Sequence, residues 1–240
     1  MLAHKLGFPT DEYDVTTHIP SSPISCGPKD LLVVGVPVYA GRIPQKAAQA
    51  LKMFQGSDTP AVLVAVYGNR AYDDALLELK DTVVQQGFIP TSAAAFIAQH
   101  SMFNEVATHR PDQVDELKIL DFAQKSKQLL FDLPTIQQAG ELIVPGHKPY
   151  KVPGSMPVYP FGDDKCIDCG RCIRLCPEQA IPSNPRDTHT DLCIKCGRCM
   201  HICPTGSRHL VAKGMDIQAI RTQFAATNSA RKEPEFFFCE

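Results

Sequence analysis

Two nearly identical stretches, CIDCGRCIRLCP at residues 166–177 and CIKCGRCMHICP at residues 193–204, decide how the second half of this chain folds. Each stretch has the pattern C-x2-C-x2-C-x3-C-P, so eight of the ten cysteines lie between positions 166 and 203. A chain that used disulfides for stability would spread its cysteines more evenly. The concentration of thiols therefore predicts that they hold a metal group.

The spacing within each stretch predicts two cubane iron–sulfur clusters with exchanged ligands, as in bacterial two-cluster ferredoxins. Three cysteines spaced by two residues wrap a loop over one cluster. The fourth cysteine lies in the next helical turn and points away, so it is expected to ligate the other cluster. The predicted ligand sets are Cys166, Cys169, Cys172 and Cys203 for one [4Fe–4S] cluster, and Cys193, Cys196, Cys199 and Cys176 for the other.

The residues next to the ligands have expected roles of their own. Gly170 and Gly197 are expected to let backbone amides approach the cluster sulfurs. Pro177 and Pro204 are expected to turn the chain after the exchanged ligand. Arg171 occupies the same place in the first stretch as Arg198 does in the second, and a nearby cation favours the more negative, reduced cluster.

Zinc is the alternative metal for these cysteines. Four-cysteine zinc sites usually pair two C-x2-C knuckles across a longer loop, without a third cysteine two residues later. The pattern therefore favours iron–sulfur clusters. Cys26 and Cys239 lie outside the block and have no cysteine neighbour at ligand spacing, so we expect them to be bystander thiols.

The composition is that of an ordinary soluble globular protein. Of the 240 residues, 44% are hydrophobic and 21% are charged, and the net charge of -2 argues against a general nucleic-acid binder. The apolar run LLVVGVPVYAG is too short to span a bilayer and is interrupted by Gly35 and Pro37. Because the N-terminus also lacks the features of a signal peptide, we expect a cytoplasmic protein with neither nucleic acid nor membrane as partner.

The first half of the chain alternates between strand and helix patterns. The predicted strands are 31–39, 61–68 and 89–98, and the predicted helices are 44–55, 71–86 and 113–132. Asp112 is a candidate N-cap of the last helix, and Gly56 and Gly87 follow helices where left-handed caps are expected. This order predicts an α/β doubly wound parallel sheet with helices on both faces.

A proline-rich segment separates the two halves of the chain. Its core, PGHKPYKVPGSMPVYPFGDD, contains five prolines and three glycines and predicts a stiff, extended connector. The predicted regions are an α/β domain at 1–132, the connector at 133–160, a two-cluster domain at 161–214 and a C-terminal helix and tail at 215–240.

Loops at the carboxyl ends of the predicted strands suit a flat heterocycle. A doubly wound sheet binds its ligand at this edge, and here the loops supply tyrosines, tight glycine turns and two basic residues, Arg42 and Arg70. This combination is suited to a flavin ring. The candidate flavin-binding residues are Pro37, Val38, Tyr39, Ala40, Gly41, Tyr67, Gly68, Asn69, Arg70, Tyr72 and Asp73.

Taken together, GVPVYAGRIP, VAVYGNRAYDDALLELKD, AAAFIAQHS and PGHKPY, followed by the two cysteine stretches, resemble the flavodoxin–ferredoxin fusion proteins of anaerobic bacteria. The resemblance runs from about residue 30 to PEFFF at 234–238. It implies a flavodoxin-like domain that binds FMN, joined to a ferredoxin domain with two [4Fe–4S] clusters. It also implies that the loops at 37–42 and 67–73 flank the flavin ring.

The N-terminus departs from this family, whose members begin with a strand and a loop that cradles the FMN phosphate at a helix N-terminus. Here MLAHKL is interpreted as the end of the first helix, capped by Gly7. We therefore predict that the sequence is truncated. Without that strand, two strand edges would be exposed or residues 14–19 would pair differently, and FMN binding would need a replacement for the missing phosphate loop.

The predicted function is single-electron transfer through the two clusters to redox partner proteins, as an oxidoreductase component rather than a stand-alone enzyme. Residues 161–213 contain eight basic and six acidic residues, which suggests an acidic docking partner. One alternative is a flavin-dependent reductase of a small organic substrate that receives electrons from the clusters. The other is a non-redox module whose clusters are structural.

Overall fold

The computed structural model describes residues 2–154 and 156–240, which form two compact units. The first unit consists of residues up to 99 together with 107–153 and 231–240, and the second consists of 100–106 and 154–230. These boundaries differ from the predicted regions. Most of the expected connector, residues 133–153, belongs to the first unit, and so does the tail from residue 231.

The helices and strands are numbered in chain order. They are α1 (Leu2–Leu6), β1 (Ile24–Cys26), β2 (Leu32–Pro37), α2 (Gln45–Leu51), β3 (Phe54–Gly56), β4 (Thr59–Tyr67), α3 (Ala75–Val84), β5 (Phe88–Ile97), α4 (Gln113–Asp132), β6 (Val158–Phe161), α5 (Arg171–Arg174), α6 (Arg198–His201), β7 (His209–Ala212), α7 (Ile217–Asn228) and β8 (Glu235–Phe238). A 3-10 helix covers Ile136–Gln138.

The main sheet of the first unit has the strand order β2-β4-β5-β8. Strands β2, β4 and β5 are parallel, as the sequence predicts, because a helix crosses over between β4 and β5 and α2 lies between β2 and β4. Strand β8 pairs antiparallel with β5. The predicted tail is therefore the edge of the sheet.

Strands β1 and β3 form a separate two-stranded parallel sheet. The prediction of one helix over 44–55 was wrong at its end, because α2 stops at Leu51 and Gly56 lies in β3 instead of capping a helix. Gly87 does adopt the left-handed conformation after α3, with φ of 83°. Residues 14–19 contain turns and form no strand.

Alternate side chains of β4 point into two different apolar cores, as the pleat of a strand requires. Ala61 and Leu63 pack in the core that α2 and α3 cover. Val62 and Val64 pack on the opposite face against Phe122 of α4. Helices thus cover both faces of the sheet, and this part of the α/β prediction is confirmed.

Helix α4 has the bounds that the sequence predicts because its start is encoded locally. The Asp112 carboxylate accepts hydrogen bonds from the backbone N–H groups of Val114 and Asp115, each at 3.0 Å, and the Asp115 carboxylate accepts one from the Asp112 N–H at 2.9 Å. This reciprocal capping box satisfies N–H groups that have no partner within the helix.

The segment that follows α4 is part of the core of the first unit. Leu142 and Val144 are both buried in the cluster that contains α3. The Glu141 carboxylate accepts a hydrogen bond from the Lys80 ammonium at 2.9 Å. Part of the predicted stiff, extended connector therefore packs on the first unit.

In the second unit, β6 pairs antiparallel with β7, and the two cysteine stretches lie between them in sequence. The loop at 100–106 also belongs to this unit. Its Phe103 ring packs on Phe224 of α7, with 4.5 Å between the ring centroids. Within the part of the chain that the structure describes, no helix combines the length and apolar character that crossing a membrane requires.

Candidate metal centre

The two cysteine stretches fold in the same way. Each ends its loop with a left-handed glycine, Gly170 (φ 67°) or Gly197 (φ 74°), which begins the one-turn helix α5 or α6. Two residues earlier, Asp168 and Lys195 are left-handed as well, with φ of 53° and 59°. The repeated sequence therefore produces a repeated backbone conformation, which places corresponding cysteines in corresponding positions.

The eight cysteines of these stretches line two cavities, four in each. One cavity is lined by Cys176, Cys193, Cys196 and Cys199. The other is lined by Cys166, Cys169, Cys172 and Cys203. Each cavity thus brings together three cysteines of one stretch and the last cysteine of the other, which is the division that the spacing predicts. Pro177 and Pro204 line the cavities beside the exchanged cysteines.

Backbone N–H groups donate hydrogen bonds to the two exchanged cysteines. The Ala180 N–H donates to the Cys176 sulfur at 3.3 Å. Burial acts to raise the pKa of Cys203, but hydrogen bonds from the amides of Arg208, Thr205 and Ser207 outweigh it and hold that pKa below its usual range. Such donors favour a negatively charged sulfur. The chain is therefore arranged to stabilise a thiolate at Cys203.

Four of the other cavity cysteines have the opposite shift. Burial raises the pKa of the Cys172, Cys193 and Cys196 thiols and takes that of Cys199 to about 11. A thiolate in such surroundings is stabilised by a bound metal, which deprotonates the thiol outright. The sulfur-rich lining and the N–H donors fit a thiolate-ligated iron–sulfur cluster.

Gly197 is more constrained than Gly170. A Cβ atom at position 197 would lie 2.4 Å from the Ser101 carbonyl oxygen, whereas at position 170 the nearest atom is an Arg174 nitrogen at 3.1 Å. The His201 Nε2 also makes a hydrogen bond to the Ser101 carbonyl, at 2.7 Å. The loop at 100–106 therefore packs directly on the second cysteine stretch, a contact that the sequence did not predict.

Arg208 is the other residue that the sequence analysis missed. It is buried and belongs to the lining of both cysteine cavities. Arg171, which the sequence suggested as a cation beside the ligands, is exposed, and Arg198 is half-buried. In the sequence, Arg208 is only one of the eight basic residues of 161–213, because nothing in its local sequence distinguishes it from a surface arginine.

The predicted flavin-binding loops do meet at the carboxyl edge of the sheet. The Asp74 N–H donates to the Gly41 carbonyl at 3.1 Å, which joins the loop after β2 to the loop after β4. A Cβ on Gly41 would lie 2.2 Å from the Asp73 carboxylate. Ala40 (φ 53°) and Asn69 (φ 64°) are left-handed, as tight turns require. The residues assigned to the flavin are distributed as follows: Pro37 and Ala40 are exposed, Gly41, Tyr67, Asn69 and Tyr72 are buried, and Val38, Tyr39, Gly68, Arg70 and Asp73 are intermediate.

Two of the three tyrosines that were assigned to the flavin ring, Tyr67 and Tyr72, are used in packing. Tyr67 and Tyr72 belong to the apolar core and pack edge to face, with centroids 5.3 Å apart. The Tyr72 hydroxyl donates to the Glu235 carboxylate at 2.9 Å. These two rings are therefore used in packing and are not available to stack on a ligand.

The charges at the same edge are compensated within the protein. Arg42 is bound by both oxygens of Glu78, each at 2.7 Å, and Arg70 pairs with Asp73. The Asp74 carboxylate accepts hydrogen bonds from the backbone N–H groups of His147 and Lys151, at 2.9 and 2.6 Å. Residues 147–151 thus pack on this edge, and flavin binding by these loops stays a prediction.

Cys26 and Cys239 lie apart from the cysteine cavities. Cys239 is buried in the core of the first unit, and Cys26 packs against that core. Among residues 2–154 and 156–240, no group of three or more His, Cys, Asp or Glu side chains is arranged to hold a single metal ion.

Comparison with known families identifies the class of the cysteine-rich part. Residues 165–207, which include all eight cavity cysteines, match the family described as the 4Fe-4S dicluster domain. This part of the chain is therefore a ferredoxin-type domain that binds [4Fe–4S] clusters. Neither a curated protein nor a solved structure shows significant similarity to the chain. The flavodoxin-like identity of the first unit stays a prediction.

Proposed function

We propose that this protein transfers single electrons through two [4Fe–4S] clusters, with other redox proteins as its partners. The observation that supports this most directly is the division of the cysteines between the two cavities. Three residues of one stretch and one of the other line each cavity. A protein that exchanges ligands in this way ties its two sites into one unit and keeps them close together.

The chain would hold one cluster with Cys166, Cys169, Cys172 and Cys203, and the other with Cys193, Cys196, Cys199 and Cys176. When bound, each cluster supplies a centre that accepts and releases one electron. The residues of the chain orient the sulfurs, donate hydrogen bonds to them and limit the access of water. Cys169 is exposed and its neighbour Ile167 is 64% exposed, so the edge of one cavity lies at the surface, where a redox partner can approach.

FMN in the first unit is a separate hypothesis, which rests on the family resemblance. The buried Tyr67 and Tyr72 and the paired Arg42 do not support it. The flavin-dependent reductase and the module with structural clusters are the two alternatives. The first requires a bound flavin, and the second has clusters that do not exchange electrons reversibly.

The test is the amount of iron, acid-labile sulfide, zinc and released flavin per chain in anaerobically purified protein, with its visible spectrum before and after dithionite. We expect about eight irons and eight sulfides, an absorbance that bleaches reversibly, and no stoichiometric zinc. One flavin per chain would restore the FMN hypothesis. Zinc without sulfide, or clusters that do not exchange electrons reversibly, would contradict the proposed function.

Serine variants test the ligand assignment. Cys176→Ser and Cys203→Ser should each lose most of one cluster, about four irons, while Cys26→Ser, whose thiol packs against the core of the first unit, should keep the full iron content. A loss of iron in Cys26→Ser equal to that in the other two variants would show that the assay reports general damage.

A further inference from the structure

Arg208 occupies a place that no other described arginine shares. Its side chain is only 3% exposed. It lines the cavity of Cys176, Cys193, Cys196 and Cys199, and also the cavity of Cys166, Cys169, Cys172 and Cys203. One guanidinium is therefore buried beside both sets of cysteines.

The oxygen acceptors of the Arg208 guanidinium are all neutral, and its side chain also hydrogen-bonds to the Cys199 thiol. Its Nη1 donates to the carbonyls of Pro185 and Asp187, at 2.6 and 3.0 Å. Its Nη2 donates to the Pro160 carbonyl at 2.7 Å and to the Thr188 hydroxyl. Its Nε is buried and has no partner among the described residues. These contacts orient the guanidinium but leave its charge uncompensated.

A buried cation without a counter-charge is costly, and buried charges in proteins are normally paired. Among residues 2–154 and 156–240, no carboxylate lies within ion-pair distance of Arg208. The groups that can supply negative charge beside it are the cysteine sulfurs. A [4Fe–4S] cluster with four thiolate ligands carries a net negative charge, which becomes larger by one on reduction.

We propose that Arg208 is a shared counter-charge for the two clusters, which raises both reduction potentials. This inference rests on the proposed function, because it requires both clusters. Reduction adds one electron to a cluster and makes it more negative, and a fixed cation nearby stabilises that state. The guanidinium stays protonated throughout, so it takes up no proton when the electron arrives.

The experiment is an anaerobic redox titration of the full chain, followed by electron paramagnetic resonance, for the wild type, Arg208→Met, Arg208→Lys and Arg221→Met. Arg221 is the control because it is an arginine of the same unit that already pairs with the Glu105 carboxylate at 2.9 Å. We expect Arg208→Met to lower both potentials, with at least a tenfold smaller reduced-to-oxidised ratio at a fixed potential, or 59 mV. Arg208→Lys should shift them less, and Arg221→Met should leave them unchanged.

A shift in Arg208→Met no larger than that in Arg221→Met, or confined to one cluster, would overturn the proposal. If Arg208→Met fails to retain iron, Arg208→Lys decides. Clusters retained in the lysine variant would show that the charge is required, and their loss there would show that Arg208 is structural only. Two reversible one-electron transitions in the wild type would preserve the proposed function in either case.

Discussion

Two buried arginines, one in each unit, are neutralised in different ways. Arg110 in the first unit is 8% exposed and makes a two-point ion pair with Asp115, while its Nη1 donates to the Lys232 carbonyl at 3.0 Å. Arg208 in the second unit is still more buried, but its oxygen acceptors are all neutral. One unit compensates its buried cation with its own carboxylate. The described part of the second unit has no carboxylate beside its buried cation, and the proposed counter-charge is the metal group that the cysteines bind.

The difference indicates how far each unit can fold without a bound metal group. The first unit has two apolar cores, a paired buried arginine and a capped helix, all provided by the polypeptide. The second has two four-cysteine cavities beside an unpaired guanidinium. Binding energy of a metal group is then also folding energy. Removing the metal should therefore destabilise the second unit more than the first.

The largest expected effect is the one that follows from removing the iron. Treatment with a chelator should destroy amide protection in the second unit, in peptides covering 158–161 and 209–212, because the counter-charge of Arg208 disappears. Protection in β4 and β5 should persist. Hydrogen exchange followed by mass spectrometry checks this, with untreated protein as the control. An equal loss of protection in both units would break the comparison.

The next effect concerns the paired arginine. Arg110→Met should lower the free energy of unfolding of the first unit by about 3–5 kcal/mol, because it leaves the Asp115 carboxylate buried without its partner. Urea unfolding followed by circular dichroism measures the change. Lys125→Met is the control, since it removes an exposed pair with Asp121 and should cost less than about 1 kcal/mol. Similar costs for the two variants would contradict the view that the first unit depends on its buried ion pair.

The two glycines at the start of α5 and α6 provide a comparison within the second unit. Gly170→Ala should cost about 1–2 kcal/mol from the left-handed backbone. Gly197→Ala should cost more, because its Cβ would also meet the Ser101 backbone carbonyl, which cannot rotate away as the Arg174 side chain can. The rate of iron release to a chelator measures both. Faster release from Gly170→Ala would contradict the packing of the loop at 100–106.

The smallest effect is expected for Asp112, which is half-exposed and lies beside the buried pair of Arg110 and Asp115. Hydrogen bonds from Arg231 and from the Asp115 amide hold the pKa of Asp112 well below its usual range. Because that pKa is lower in the folded state than in the unfolded one, the stabilisation is present above about pH 4 and is lost as the pH falls further. The difference in melting temperature between the wild type and Asp112→Asn should therefore shrink from pH 7 to pH 3. A difference independent of pH would mean that the charge of Asp112 contributes nothing.

Features that are encoded locally could be predicted from the sequence. The bounds of α4 follow from the Asp112 cap and the apolar spacing of the helix, and the division of the cysteines follows from the spacing of each stretch. The three parallel strands follow from valine-rich runs between helical patterns. In each of these, the residues that determine the structure are close together in the chain.

Features that depend on distant partners could not be predicted. The run EFFF at 235–238 is apolar enough for a strand, but its pairing with β5 is set by residues more than a hundred positions away. Tyr67 and Tyr72 look the same in sequence whether they stack on a ligand or fill a core. The role of Arg208 depends on carbonyls of the loop at 185–188, which no local pattern reveals.

The pairing of β8 with β5 also determines when the main sheet of the first unit can be completed. Synthesis proceeds from the N-terminus, so β2, β4 and β5 leave the ribosome long before residues 235–238 are added. Until then, β5 has an open edge along Ser92 to Ala95, which is the register that β8 later occupies. All eight cavity cysteines are also translated before β8. Cluster insertion can therefore begin on a nascent chain whose first unit is still waiting for its last strand, and during that interval the open edge is exposed to pairing with other chains.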